Sequence, residues 1–132
     1  SKSYNNCINI LDEEKALKKQ IMRITTDSKG LDEIKDPETC NIFSIYKLIS
    51  TEIQQDTLKN KYKIQGFGYG HAKNELLELI LTKYKNPRVK FQELMANPQI
   101  IEAKLASGAK KANQIASTVI KKVKKNIGLM RG

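Results

Sequence analysis

The apolar residues of this chain recur at intervals of three and four, which is the spacing of one face of an α-helix. The fullest example lies after Pro37, where a buried helix is predicted from the i, i+3, i+4, i+7 pattern of Ile42, Ile45, Tyr46 and Ile49, with Phe43 and Leu48 widening its apolar face. No stretch alternates between apolar and polar residues as a half-buried strand does. We therefore predict an all-α fold, a helical bundle of about five to seven helices.

Local signals predict where these helices begin and end. Asp12 is expected to cap a first helix that ends near Thr26, and Pro87 is expected to kink or restart a later helix. Asn97-Pro98 has the residue types of an N-cap and first helical position. Gly108 is expected to bend the last helix, whose small alanines should let it pack closely against a neighbour.

The segment Gly66–Gly70 contains three glycines, so a tight turn is predicted there instead of a regular element. It also holds two aromatic residues, Phe67 and Tyr69, which we expect to be exposed. His71 follows as an exposed polar residue and not a general base. The earlier Thr26-Asp27-Ser28 segment has no histidine or second carboxylate tied to it, so capping or hinge structure is its better interpretation.

Composition sets limits on the kind of protein. At 132 residues and 15.0 kDa the chain has room for one domain with a modest core. No apolar run approaches the ~20 residues of a membrane span and no secretory signal is present, so we expect a cytoplasmic protein without a membrane partner. Two distant cysteines and one histidine are too few for a zinc site, and no metal is predicted.

Charge is strongly segregated along the chain. The net charge is +10, and no acidic residue follows Glu102. Five lysines lie away from the apolar side of the predicted last helix: Lys110, Lys111, Lys121, Lys122 and Lys125. Such a face suits phosphates. A solvated face that keeps the protein soluble, or a basic helix on a membrane surface, remain as alternatives.

Several separated segments occur in a characteristic order. Ser1-Lys2-Ser3 opens the chain without an initiator methionine, as expected of a domain cut from a larger enzyme inside a catalytic loop. Thr26-Asp27-Ser28, Asn41–Tyr46, Tyr62, Gly66–Gly70, Lys73, Gly108–Ala112 and Ile127–Leu129 follow. In order and spacing they closely resemble the C-terminal region of bacterial tryptophanyl-tRNA synthetases, from the end of the KMSKS loop onward. Two departures are the absent Lys-Met of that loop and a slightly longer Lys63–Gln65 segment.

The resemblance implies roles for particular residues. Lys2 aligns with the second lysine of KMSKS, a catalytic residue that contacts the ATP phosphates, and Ser1 and Ser3 align with the flanking serines of the ATP site. Residues 1–11 would be the tail of that loop and a linker, and residues 12–132 a helical domain binding the tRNA anticodon. Candidate RNA contacts are Phe67, Tyr69, Lys73 and the five lysines Lys110, Lys111, Lys121, Lys122 and Lys125.

The resemblance also implies a parent enzyme, a class I tryptophan–tRNA ligase that activates tryptophan with ATP and Mg²⁺ and charges tRNA(Trp). Its CCA anticodon would be met as unpaired bases, which need stacking planes and polar groups. The parent is expected to be a homodimer through its catalytic domain. This chain alone is expected to be inactive and to hold no cofactor. The matching domain of tyrosyl-tRNA synthetase and a stand-alone basic helical nucleic-acid-binding protein are the alternatives.

Overall fold

The computed structural model describes residue 4 and residues 6–129, and within them the chain forms helices and no strand. The predicted all-α class is confirmed. The helices are α1 (Glu14–Met22), α2 (Asn41–Ile49), α3 (Glu52–Tyr62), α4 (Tyr69–Lys83), α5 (Lys85–Ala96) and α6 (Pro98–Asn126). None of these helices combines the length and apolar content that a membrane crossing requires.

The buried core lies in the first four helices, where α4 packs against both α1 and α2. The predicted periodicity of α2 is confirmed, since Ile42, Phe43 and Tyr46 are buried in it. Leu48 does not widen this face, because it is 82% exposed. Two residues beyond Tyr46 an α-helix has turned by about 200°, which points Leu48 away from the core.

The first helix is shorter than its sequence pattern suggests. It begins at Glu14, with Glu13 at the N-cap position, and ends at Met22, before Thr26. Asp12 does not cap it. Its carboxylate instead accepts hydrogen bonds from the side-chain amides of Asn9 (2.6 Å) and Gln20 (2.6 Å). Two amide partners satisfy the Asp12 oxygens, so the cap site is left to Glu13.

The glycine segment is a turn followed by the first residues of α4. Gly66 has φ +86°, a left-handed conformation that glycine adopts without strain. A side chain on Gly68 would place its Cβ 2.6 Å from Cδ2 of Leu31, so the loop before α2 lies directly against this backbone. Tyr69 and Gly70 already belong to α4, which corrects the expectation that no regular element includes them.

A break in the helix at Tyr84 separates α4 from α5, so the restart expected near Pro87 is found just before it. Arg88, in the first turns of α5, is 9% exposed. Its guanidinium donates a hydrogen bond to the backbone carbonyl of Ile10, which joins the segment before α1 to the start of α5.

The chain divides into two compact units, Ser1–Val89 and Lys90–Gly132. In the second unit α6 begins at Pro98 after Asn97, as predicted, and runs through Gly108 without the expected bend. One interior glycine costs a helix only about 1 kcal/mol, which the good helix formers around it offset. No residue of α6 is buried, so the close packing expected of its alanines is absent.

Candidate nucleic-acid interface

The basic face of α6 is a row of exposed lysines on a single uninterrupted helix. We define the basic strip by its five residues: Lys110, Lys111, Lys121, Lys122 and Lys125. At 100° per residue these side chains fall within about 120° of arc. Their ammonium groups can therefore meet phosphates that lie along one side of the helix.

The opposite side of α6 is apolar and is also exposed. Leu105 is 67% exposed, Val119 55% and Val123 50%. Within its own unit α6 is thus amphipathic and is held by its own backbone hydrogen bonds, because no side chain of the helix is buried.

The two aromatic residues of the glycine segment are half-buried, not exposed as expected. The Phe67 ring lies 5.5 Å from that of Tyr62, a fully buried core residue, and 5.6 Å from that of His71. The tight turn at Gly66 folds Phe67 back onto the end of α3, which explains its burial. Part of the Phe67 ring remains accessible beside His71, which is exposed as predicted.

Tyr69 connects two segments that the sequence singles out separately. Its hydroxyl donates a 2.6 Å hydrogen bond to Oδ1 of Asp27, and the Lys29 backbone N–H donates to the same oxygen. The Tyr69 hydrogen bond, with that of Lys29, lowers the pKa of Asp27. Burial, and then the bond to Asp27, raises the pKa of Tyr69. Asp27 therefore anchors the loop after α1 to α4, a structural role in keeping with the predicted capping or hinge.

A buried lysine supports the same loop. Lys35 is 2% exposed, and its ammonium donates to the backbone carbonyls of Gly30 (2.6 Å) and Glu33 (2.9 Å). The same nitrogen lies 5.5 Å from the centre of the Tyr69 ring, within cation–π range. Sequence analysis missed Lys35 because a lysine in a polar segment is almost always exposed. No local pattern marks it.

The side chain of Lys73 is hydrogen-bonded within the protein. Its ammonium donates a 2.9 Å hydrogen bond to the carbonyl of Met22, at the C-terminal end of α1, where positive charge is favourable. An RNA contact of Lys73 stays a prediction. The predicted ATP-site residues Ser1, Lys2 and Ser3 lie outside the described residues. Across residue 4 and residues 6–129, no group of histidine, cysteine or carboxylate side chains could hold a metal ion.

Comparison with known proteins bears on this interface. No family model matches the chain. It is 46% identical over 129 residues to the tryptophan–tRNA ligase of Campylobacter jejuni strain RM1221, covering 98% of this chain and 40% of the relative. The tryptophan–tRNA ligase of Fusobacterium nucleatum is likewise 46% identical over 130 residues, with the same coverage. That of Rhodopirellula baltica is 37% identical.

Solved structures point to the same family as the sequence matches. The crystal structure of tryptophanyl-tRNA synthetase from Campylobacter jejuni matches with a TM-score of 0.89 and 45% identity, over 97% of this chain and 41% of that chain. The same enzyme complexed with ADP and tryptophan matches with a TM-score of 0.90.

Helical fold, sequence and structural matches together make the chain similar to proteins of the aminoacyl-tRNA ligase class. Within that class it is homologous to the C-terminal region of the tryptophan–tRNA ligases, which confirms the predicted resemblance. The tryptophan names of these relatives favour that family over the tyrosyl alternative. The chain spans about 40% of the length of the relatives it matches.

Proposed function

We propose that this chain is the tRNA-binding helical domain of a tryptophan–tRNA ligase and receives the anticodon stem and loop of tRNA(Trp). The observation that carries the proposal is the similarity to tryptophan–tRNA ligases over 98% of the chain, at 46% identity. The exposed basic strip supplies charge of the sign that RNA requires. The same similarity argues against a stand-alone binding protein.

The whole enzyme, in this proposal, activates tryptophan with ATP and Mg²⁺ in the cytoplasm and then charges tRNA(Trp), as a homodimer through its catalytic part. The Campylobacter jejuni structure with ADP and tryptophan supports this choice of ligands. Lys2, between Ser1 and Ser3, would contribute a fixed positive charge toward the ATP phosphates. The chain alone should show no tryptophan-dependent exchange of pyrophosphate with ATP, and such exchange would contradict the assignment.

The basic strip is proposed to contact phosphates of the RNA stem. From Lys110 to Lys125 it covers roughly 20 Å, at ~1.5 Å of rise per residue. Charges are screened beyond about 8 Å at physiological salt, so only phosphates close to the strip contribute. Each lysine that neutralises a phosphate releases counterions, and the affinity must then fall as salt is added.

The test is tRNA(Trp) binding by the triple variant Lys121→Gln, Lys122→Gln and Lys125→Gln across a salt series. We expect weaker binding, and a plot of log affinity against log salt that is flatter by up to about one unit for each lost contact. The helical circular dichroism signal should not change, because these side chains are exposed.

A matched control is available in α1. The triple variant Lys15→Gln, Lys18→Gln and Lys19→Gln removes the same charge from exposed positions of another helix. It should lower the affinity only slightly and keep the slope. Equal effects of the two triple variants would show that net charge, and not the strip, governs binding. No binding of tRNA(Trp) by the unmodified chain at low salt would contradict the proposed function itself.

A further inference from the structure

A shallow cleft of about 380 Å³ opens beside the glycine segment, between the end of α3 and the start of α4. Its volume lies within the range of about 300–1,000 Å³ that is typical of small-ligand sites. Its walls include one aromatic ring, one imidazole and an ion pair, from Phe67, His71, Glu75 and Lys61. Stacking, hydrogen-bond donation and hydrogen-bond acceptance therefore converge at one place on the surface.

The Phe67 ring is held in place before any ligand arrives. It packs at 54° on Tyr62, with ring centres 5.5 Å apart, and at 30° on His71, with centres 5.6 Å apart. A ring held against two neighbouring rings loses little freedom when a flat ligand packs on its accessible part, so the contact is preorganised. Nucleobases stack on such rings whatever their sequence.

His71 presents a hydrogen-bond donor to the cleft. Its Nδ1 accepts a 3.0 Å hydrogen bond from the backbone N–H of Gly68. In the neutral imidazole only one nitrogen carries a proton, so acceptance at Nδ1 places that proton on Nε2. The Nε2–H group is then the donor that a ligand meets.

Glu75 presents an acceptor one helical turn further along. Residues separated by four in a helix are neighbours on its surface, and both His71 and Glu75 line the cleft. The Lys61 ammonium lies 2.5 Å from its Oε1 and fixes its position. A carboxylate has a second oxygen, which can accept from a ligand. Donor and acceptor thus lie side by side at the edge of a stacking surface.

We propose that this cleft binds one unpaired nucleobase of an RNA strand and selects cytosine or adenine; the proposal rests on the proposed tRNA-binding function. On the Watson–Crick edge of these two bases, the exocyclic amino group at C4 of cytosine or C6 of adenine stands next to a ring nitrogen that accepts. The amino group donates to Glu75 and the ring nitrogen accepts from Nε2 of His71. Uracil and guanine carry a carbonyl oxygen and a ring N–H at the same places. The carbonyl oxygen would then face the Glu75 carboxylate, acceptor against acceptor, and the ring N–H would face the His71 N–H, donor against donor.

The experiment titrates the nitrogen-15-labelled 132-residue chain with hexamers of cytidylate and of uridylate. We expect the cytidylate hexamer to bind about tenfold more tightly, which corresponds to the lower part of the discrimination given by paired edge contacts. The amide signals of Gly66, Gly68 and His71 should shift with saturation. Equal affinities, or shifts confined to other residues, would overturn the proposal.

Two variants separate the edge contacts from stacking. Glu75→Gln supplies an amide that can donate as well as accept, so the preference for cytidylate should fall to about twofold or less. Glu78→Gln makes the same change at an exposed position of α4 outside the cleft and should keep the preference. A preference that survives Glu75→Gln unchanged would refute the role of Glu75 in selection.

Phe67→Leu keeps an apolar contact with Tyr62 but removes the stacking plane, and we expect cytidylate affinity to fall about tenfold. Phe91→Leu, at an exposed aromatic residue that does not line the cleft, should have no effect. Circular dichroism checks that both variants fold. If Phe67→Leu does not fold, the comparison of Glu75→Gln with Glu78→Gln still tests the proposal.

If hexamers bind without preference while tRNA(Trp) binding still depends on the basic strip, only the cleft proposal fails. If hexamers are selected but tRNA(Trp) is not bound, only the proposed function fails.

Discussion

Helices α1–α4 and helix α6 are stabilised in different ways. The first four helices bury a continuous apolar cluster, and hydrogen bonds such as Tyr69 to Asp27 join residues far apart in sequence. In α6 no residue is buried, and the helix depends on its own backbone bonds and residue propensities. Stability and charge are therefore separable along this chain. Substitutions of the buried residues of α1–α4 lower the stability of the fold, whereas substitutions of the exposed lysines of α6 change only what the surface attracts.

The largest difference should come from one pair of leucine substitutions. Leu76 is 0% exposed and Leu105 is 67% exposed. Leu76→Ala leaves a cavity in the core and should lower the free energy of unfolding by about 2–5 kcal/mol. Leu105→Ala should change it by no more than ~0.5 kcal/mol. Urea unfolding followed by circular dichroism measures both. A cost at Leu105 comparable to that at Leu76 would mean that the apolar side of α6 is buried in solution, and the contrast would not hold.

Two glycine substitutions test the same contrast between α1–α4 and α6, with expected changes in unfolding free energy of intermediate size. Gly66 has φ +86°, so Gly66→Ala should cost about 1–2 kcal/mol of unfolding free energy through a left-handed backbone. Gly108 is inside α6 with nothing within 4 Å of an added Cβ, so Gly108→Ala should stabilise that helix by up to about 1 kcal/mol. Thermal melts of the two variants should move in opposite directions. Melting temperatures that shift in the same direction would contradict either the left-handed conformation of Gly66 or the helical conformation of Gly108.

The smallest effect concerns pH and is confined to the first unit. Folding lowers the pKa of Asp27 below its ordinary 3.8, so the charged carboxylate stabilises the fold above that value. This contribution is lost as pH falls through the folded pKa. For Tyr69 the pKa is raised, so its contribution is present below pH ~10 and is lost at higher pH.

Unfolding midpoints measured from pH 6 down to pH 2 test the Asp27 contribution. Asp27→Asn and Tyr69→Phe should each flatten the acid part of this curve. Lys121→Gln, in α6, serves as the control and should leave it unchanged. Identical acid profiles for the unmodified chain and for both variants at Asp27 and Tyr69 would contradict the hydrogen bond between these two residues.

The sequence predicts best where one helix face determines the structure. The spacing of Ile42 and Tyr46 predicts α2, and Asn97-Pro98 marks the start of α6, because both signals depend on a few neighbouring residues. The bend expected at Gly108 is wrong, since one glycine inside a long run of good helix formers does not overcome the cooperativity of the helix.

The candidate interface is predictable in part. Charge segregation marks the basic strip, since exposure of lysines on a helix needs no tertiary information. The half-burial of Phe67 and Tyr69 does need it, because each packs against residues brought in by the fold, such as Tyr62 and Asp27. Lys35 is the extreme case: its ammonium is satisfied by two carbonyls of a loop whose shape no local pattern encodes.

The guanidinium of Arg88 and the carbonyl of Ile10 are 78 residues apart in sequence, and their hydrogen bond has a consequence for folding kinetics. Contacts at such separations form only after the intervening chain has closed a large loop, and proteins rich in them fold slowly. The bonds that hold α6 reach only a few residues along the chain and can form within about a microsecond. During refolding the lysine-bearing helix therefore gains its shape early, and the closing of the Arg88 loop is among the last steps.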